Sequence, residues 1–200
     1  MSALIGFDAA LEAFPMQVSL DDDTKIELRV VTPDDRESIL DFAANLPEQD
    51  LLFLRVDITK PAAVDNWIAN VAAGVTVSLI AYDGEKMAGY ATVDRNPARW
   101  TRRMGELRVN VGPAYRTKGL GRQLTAKIFE VARRSGLLKL MAHMTPDQKG
   151  AQAAFKRLGF VPEALLADCV EDRAGQLHDL VIMTYDVDGF TDQVDRPLQI

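Results

Sequence analysis

Cysteine is nearly missing: Cys169 is the only one in 200 residues, so no internal disulfide can form and a cysteine-rich metal site is excluded. A reducing cytoplasm is the expected compartment. Long apolar runs are missing as well. No stretch approaches the roughly 18 apolar residues of a membrane span, and residues 1–20 lack a basic segment followed by an apolar one. The expectation is a soluble chain without an export signal. Cationic excess is also lacking, because 23 Lys and Arg stand against 29 Asp and Glu, for a net charge of −6. That balance leaves no broad basic surface for nucleic-acid phosphates. Neither nucleic acid nor membrane is an expected partner. The acidic balance suits an amine-bearing substrate, and it suits plain solubility too.

Hydrophobic residues make up 48% of the chain, enough for one packed α/β domain. Residues 1–24 read as an N-terminal extension ending in the acidic turn Asp21-Asp22-Asp23, and residues 188–200 as a C-terminal tail. Between them, alternation at Ile26, Leu28 and Val30 predicts a strand. Thr32-Pro33-Asp34-Asp35 predicts a helix start, with Ile39, Phe42, Ala43 and Leu46 on its apolar face. A second helix is expected over 62–72. Segments 75–82 and 86–93, joined by Asp83-Gly84, predict a hairpin. Further strands are expected at 106–111, 138–144, 164–170 and 178–187, and helices at 120–135 and from the Thr145–Gln148 capping box to Leu158. Cys169 falls on one of these strands and reads as inert core. No internal repeat or low-complexity segment interrupts the chain.

The most informative segment is Val109 to Arg122. An apolar strand runs into a turn carrying Arg116, Lys118 and Arg122 together with Gly119 and Gly121, and the turn opens onto an amphipathic helix. Backbone N–H groups at such a helix N-terminus form a ready cradle for phosphate oxygens. Glycines let the main chain approach the ligand and tolerate positive φ. The spacing is neither GxxxxGK followed by Ser or Thr, nor GxGxxG.

The residues RxxGxG (Arg116, Gly119, Gly121) after the strand Glu106-Leu107-Arg108-Val109-Asn110-Val111 resemble the acyl-CoA-binding motif of the GCN5-related N-acetyltransferases (GNAT). The order β-α-α-β-β-β-α-β-α-β-β over 25–187 matches that family. The segment Gln148 to Phe160, with Ala151, Phe155 and Gly159-Phe160, looks like its second motif. The resemblance implies an α/β (α+β) GNAT fold, a mixed central sheet of about seven strands with about four helices on its two faces. It implies that this sheet is splayed between the family's strands 4 and 5. It implies acetyl-CoA or another short acyl-CoA as cofactor, an amine-bearing acceptor, no metal, and a homodimer, since dimers are common in the family.

Carried over residue by residue, the resemblance assigns Arg116, Thr117, Lys118, Gly119, Leu120, Gly121 and Arg122 to the pyrophosphate. It assigns Val109, Asn110 and Val111 to the pantetheine and thioester, and Gln148 and Phe155 to further cofactor contact. Period-two alternation places Glu106, Arg108 and Asn110 on one face of their strand and Leu107, Val109 and Val111 on the other. Glu106 resembles the glutamate that manages the amine's protons in several members; the competing reading is a salt bridge to Arg108 or a loop arginine. Phe155 stands where many members have a tyrosine that protonates the leaving thiolate. A phenyl ring has no proton to give, so His143 is a candidate substitute, since histidine is the common proton carrier of acid–base sites. His178 reads as a partner of the adjacent Asp179. Arg55, Trp100, Arg102 and Arg103 lie in segments like the family's acceptor-selecting loops. The expected activity is acyl transfer to a primary amine of a small molecule or protein lysine by direct attack in a ternary complex. The alternatives are an acyl-CoA-binding sensor or interaction domain with little or no catalysis, and a phosphate-binding regulatory domain unrelated to CoA.

Overall fold

The computed structural model describes residues 8–51, 54, 56–95, 98, 100–172 and 174–187. Its elements run α1 (Asp8–Leu11), β1 (Met16–Ser19), β2 (Lys25–Val30), α2 (Arg36–Ala44), α3 (Glu48–Leu51), α4 (Pro61–Ala72), β3 (Thr76–Asp83), β4 (Lys86–Arg95) and β5 (Met104–Val111). They continue with α5 (Leu120–Arg134), β6 (Lys139–Met144), α6 (Lys149–Arg157), β7 (Val161–Glu171) and β8 (Leu177–Asp186). One eight-stranded sheet has the order β1-β2-β3-β4-β5-β6-β8-β7. Every pairing is antiparallel except β5 with β6.

That parallel pair makes the fold a functional scaffold. Only Met104, Gly105 and Glu106 of β5 find partners on β6, whereas the same strand pairs with β4 as far as Val111. From Leu107 onward β5 therefore faces an opening where β6 has turned away. Gly105 lets the strands meet before they part, since a Cβ there would lie 2.6 Å from Leu137 Cδ1 and 3.0 Å from Val93 Cγ2.

Alternation along β3, β4 and β5 divides the core in two. Val77, Leu79, Ala81, Ala91, Val93 and Leu107 join Leu120, Leu124, Ile128 and Val131 of α5 on one face. Ile80, Tyr82 and Tyr90 join Ile39, Phe42 and Val64 from α2 and α4 on the other. Strand β3 is buried over seven of its eight residues, as a strand covered on both faces must be. Leu120, Leu124 and Ile128 are fully buried, the buried face that the amphipathic helix expected over 120–135 requires.

Several elements differ from expectation. The sheet has eight strands rather than about seven, because residues 16–19, inside the N-terminal extension, pair with β2 as an edge strand. Four helices have nine or more residues, and the single turns α1 and α3 are additional. The helix expected from Thr32 begins as a 3-10 turn, Pro33–Asp35. Asp35 turns inward there, accepting from the Thr32 N–H at 2.7 Å, from the Tyr82 hydroxyl at 2.8 Å and from Arg29. Only half of the Thr145–Gln148 capping box forms: Gln148 Oε1 accepts from the Thr145 N–H at 3.1 Å, while Thr145 Oγ1 is buried without a partner. The helix starts at Lys149 instead. Cys169 is exposed, not core, because β7 is the sheet edge and most of its residues are exposed, with no helix among the described residues covering it. His178 bonds Asp172 at 2.9 Å across the β7–β8 turn rather than Asp179, which accepts from the Asp168 N–H. The C-terminal tail expected at 188–200 lies outside the described residues.

Candidate active site

The loop between β5 and α5 is shaped for close approach. Gly119 is the N-cap of α5 with φ of 92°, so the first-turn N–H groups meet no capping side chain and keep their hydrogen-bonding capacity for a ligand. A Cβ at Gly119 would lie 2.9 Å from Asp21 Oδ2. Thr117, a β-branched residue, also has positive φ, at 62°, a conformation that costs energy and recurs at ligand sites. Gly121 keeps negative φ; its role is to leave open the ground beside Val111, whose Cγ2 a Cβ there would touch at 3.5 Å.

A cavity of about 580 Å³ extends from this loop along the splayed part of β5 to α6. Val109, Asn110, Val111, Arg116, Thr117, Gly119, Gly121, Arg122, Gln148, Phe155 and His143 all line it. The structure thus gathers most of the expected cofactor residues around one space. Lys118 and Leu120 are not among the lining residues: Leu120 is fully buried in the α5 core, and Lys118 pairs with Asp22 at 3.0 Å.

Each cation of the loop has a carboxylate partner that sequence reasoning missed. Arg116 donates to the Val111 carbonyl at 3.1 Å and forms an ion pair with Asp50 of α3. Arg122 meets Asp21 at 2.7 Å. The turn between β1 and β2 is held against the loop by an Asp21 N–H bond to the Lys118 carbonyl at 2.9 Å. Asp22 is lowered to about 2 by hydrogen bonds from Thr24 and Lys118. The triple-Asp turn was visible in sequence; its destination depends on a strand pairing that was not.

At the other end, Glu106 does not itself line the cavity but touches two residues that do: it forms an ion pair with Arg108, and its Oε1 lies 3.2 Å from His143 Nδ1. The predicted acid–base candidates are therefore adjacent, brought together where β5 and β6 part. Tyr90 of β4, opposite Asn110, was not anticipated. Its hydroxyl is pushed up to about 12 by burial, against a hydrogen bond with Asn110, so it stays a neutral donor. Phe155 is buried on Phe160, with ring centroids 5.0 Å apart. Trp100, 90% exposed, lines neither this cavity nor its smaller neighbour, and the same holds for Arg102 and Arg103. Arg55 lies outside the described residues.

The Acetyltransferase (GNAT) family model matches residues 43–160. This chain belongs to the GNAT acetyltransferase family. Solved structures agree on the fold. A GNAT-family acetyltransferase from Streptococcus pneumoniae is 20% identical with a TM-score of 0.71, over 80% of this chain and 99% of that one. For yncA of Salmonella typhimurium, solved with its cofactor acetyl-CoA, the values are 22% and 0.69, over 83% and 96%. For the ribosomal-protein-alanine N-acetyltransferase from Brucella melitensis they are 23% and 0.69, over 80% and 98%. No curated protein matches the chain significantly.

GNAT proteins bind acetyl-CoA, and the residues here fit that group. The glycine-capped helix start, the lining cations Arg116 and Arg122, and the long cavity beside splayed β5 have the donors and the room it requires. Among the described residues, no cluster of three or more His, Cys, Asp or Glu is placed to hold a metal, and no helix is long and apolar enough to cross a membrane.

Proposed function

We propose that this GNAT protein is an N-acyltransferase that moves a short acyl group, acetyl first, from CoA to a primary amine held in the same complex. The observation that carries the reading is the continuity of the 580 Å³ cavity from the cationic loop to the end of β5. Arg116, Arg122 and the α5 N–H groups hold the diphosphate. The cofactor supplies a thioester carbonyl, and the β5 backbone at Val109–Val111, free of a β6 partner, has N–H groups to orient it. Glu106, paired with His143, takes the proton that the amine must lose, directly or through water. The new bond is C–N, the broken bond is C–S, and the thiolate takes its proton from solvent because Phe155 has none.

Two measurements test this. Calorimetric titration with acetyl-CoA must show binding; none at ordinary cofactor concentrations ends the reading. Thiol release across a panel of small amines and lysine peptides must show turnover, and Glu106→Gln should cut kcat/KM roughly a hundred- to ten-thousandfold with cofactor affinity retained. Binding without turnover on any amine identifies the sensor reading instead, which Phe155 favours by lacking the acid.

A further inference from the structure

A second cavity, of about 100 Å³, lies on the α4 face of the sheet and shares Leu54, Tyr90 and Arg108 with the large one. Its wall is apolar, built from Leu54, Val56, Ile58, Ala63 and Trp67. Its other lining residues are polar, among them Thr76, Thr92, Asp94 and Arg108. Three buried side-chain polar atoms among the described residues have no hydrogen-bond partner, and two of them, Thr92 Oγ1 and Arg108 Nε, belong to this pocket. Thr92 and Arg108 are direct cross-strand partners of β4 and β5, so both donors rise from neighbouring points on one face. Arg108 Nε is 3.8 Å from Asp94 Oδ2, too far for a hydrogen bond. Buried donors are normally satisfied; two orphans facing one pocket call for an oxygen acceptor that enters it.

We infer that this cavity is the acceptor subsite and that it takes an α-amino acid with a short apolar side chain. The inference rests on the acyltransferase reading and names the substrate class. The carboxylate accepts from Arg108 Nε and Thr92 Oγ1, while the side chain packs against Ile58, Ala63 and Trp67. The amino group sits beside Tyr90 and Arg108, which line both cavities, with Asp94 of the small cavity and its cross-strand partner Glu106, both already facing Arg108, supplying negative charge nearby. The size limits the side chain: a cavity of ~150 Å³ holds the six carbons of a benzene ring, so about 100 Å³ holds about four carbons, and the carboxylate stays at the mouth, by Arg108, which lines both cavities. Polyamines and aminoglycosides fit poorly, because a cavity of about 100 Å³ is too small for their longer chains and rings.

The test uses the intact protein with leucine, leucine amide, isoamylamine (leucine without its carboxylate), lysine and spermidine, read by thiol release with acetyl-CoA and by calorimetric binding of each amine alone. Leucine should be preferred over isoamylamine and spermidine by at least tenfold in kcat/KM, with the amide between. Thr92→Val should raise KM for leucine several-fold while leaving acetyl-CoA affinity unchanged, and Ala63→Phe, which fills the pocket, should abolish leucine binding. Turnover of spermidine or isoamylamine at equal or better efficiency overturns the inference and leaves the acyltransferase reading intact. Leucine binding that Ala63→Phe removes, with no turnover of any amine in the panel, upholds the pocket as an amino-acid site and overturns the acyltransferase reading. If leucine neither binds nor reacts, the inference is overturned whatever acetyl-CoA does.

Discussion

Replacing Asp50 by Asn should tighten CoA binding. Arg116 is the loop cation whose partner comes from α3, and any diphosphate that engages it must take the guanidinium from that carboxylate. An exposed ion pair is worth about 0.2–1 kcal/mol. With the Asp50 side chain only 18% exposed and Arg116 38% exposed, this pair belongs at the upper end of that range. The carboxylate also repels an incoming diphosphate: two like charges about 8 Å apart in an effective dielectric of about 40 cost ~1 kcal/mol. The two contributions sum to ~2 kcal/mol, or up to about 30-fold in Kd, with fivefold as the lower bound. Isothermal titration of CoA into Asp50→Asn and the parent protein at low and high salt measures it, and the gain should shrink as salt screens both contributions. An unchanged or weaker affinity in a variant of undiminished Tm would refute the reasoning, for it would show that Asp50 aims Arg116 at the ligand rather than competing for it.

Other consequences are equally open to measurement. Gly119→Ala should destabilise the fold by about 1–2 kcal/mol, read from urea unfolding, because Gly119 holds φ of 92°; an unchanged midpoint would contradict that strain. Burial raises the Asp35 carboxyl, but bonds from Arg29, Thr32 and Tyr82 outweigh it and hold it below the usual carboxylate range. Its stabilisation is therefore complete above the unfolded pKa of about 4 and lost as pH falls through the lower folded value. Asp35→Asn should cost about 2–3 kcal/mol at pH 7 and flatten the acid limb of the stability–pH curve, which chemical denaturation between pH 2 and pH 7 would reveal. Phe155→Tyr should change kcat less than threefold, since water protonates a thiolate of ordinary pKa readily; a gain above tenfold would show that the missing acid limits turnover.

The phosphate loop was readable in sequence because its chemistry is local. RxxGxG between a strand and an amphipathic helix requires only neighbours in the chain, and Gly119 adopts the backbone conformation its position predicts. The α5 stripe and the Asp-Gly hairpin were readable for the same reason, as period and turn chemistry span a few residues. The opposing partners of the loop were not. Asp50 is 66 residues from Arg116 and Asp21 is 101 from Arg122, and a carboxylate on a surface turn carries no mark of the cation it will meet. Cys169 misled because alternation cannot distinguish a covered strand from an edge strand.

Residue order alone determined the glycine-capped helix start, the alternating faces of β5 and the absence of a hydroxyl at Phe155, since each follows from side-chain chemistry and short-range geometry. Tertiary structure alone decided that Glu106 meets His143, that Thr92 and Arg108 face one pocket without partners, and that three aspartates sit on the loop cations. Those contacts arise where strands pair and part, and pairing is set by the packing of the entire sheet rather than by any one segment.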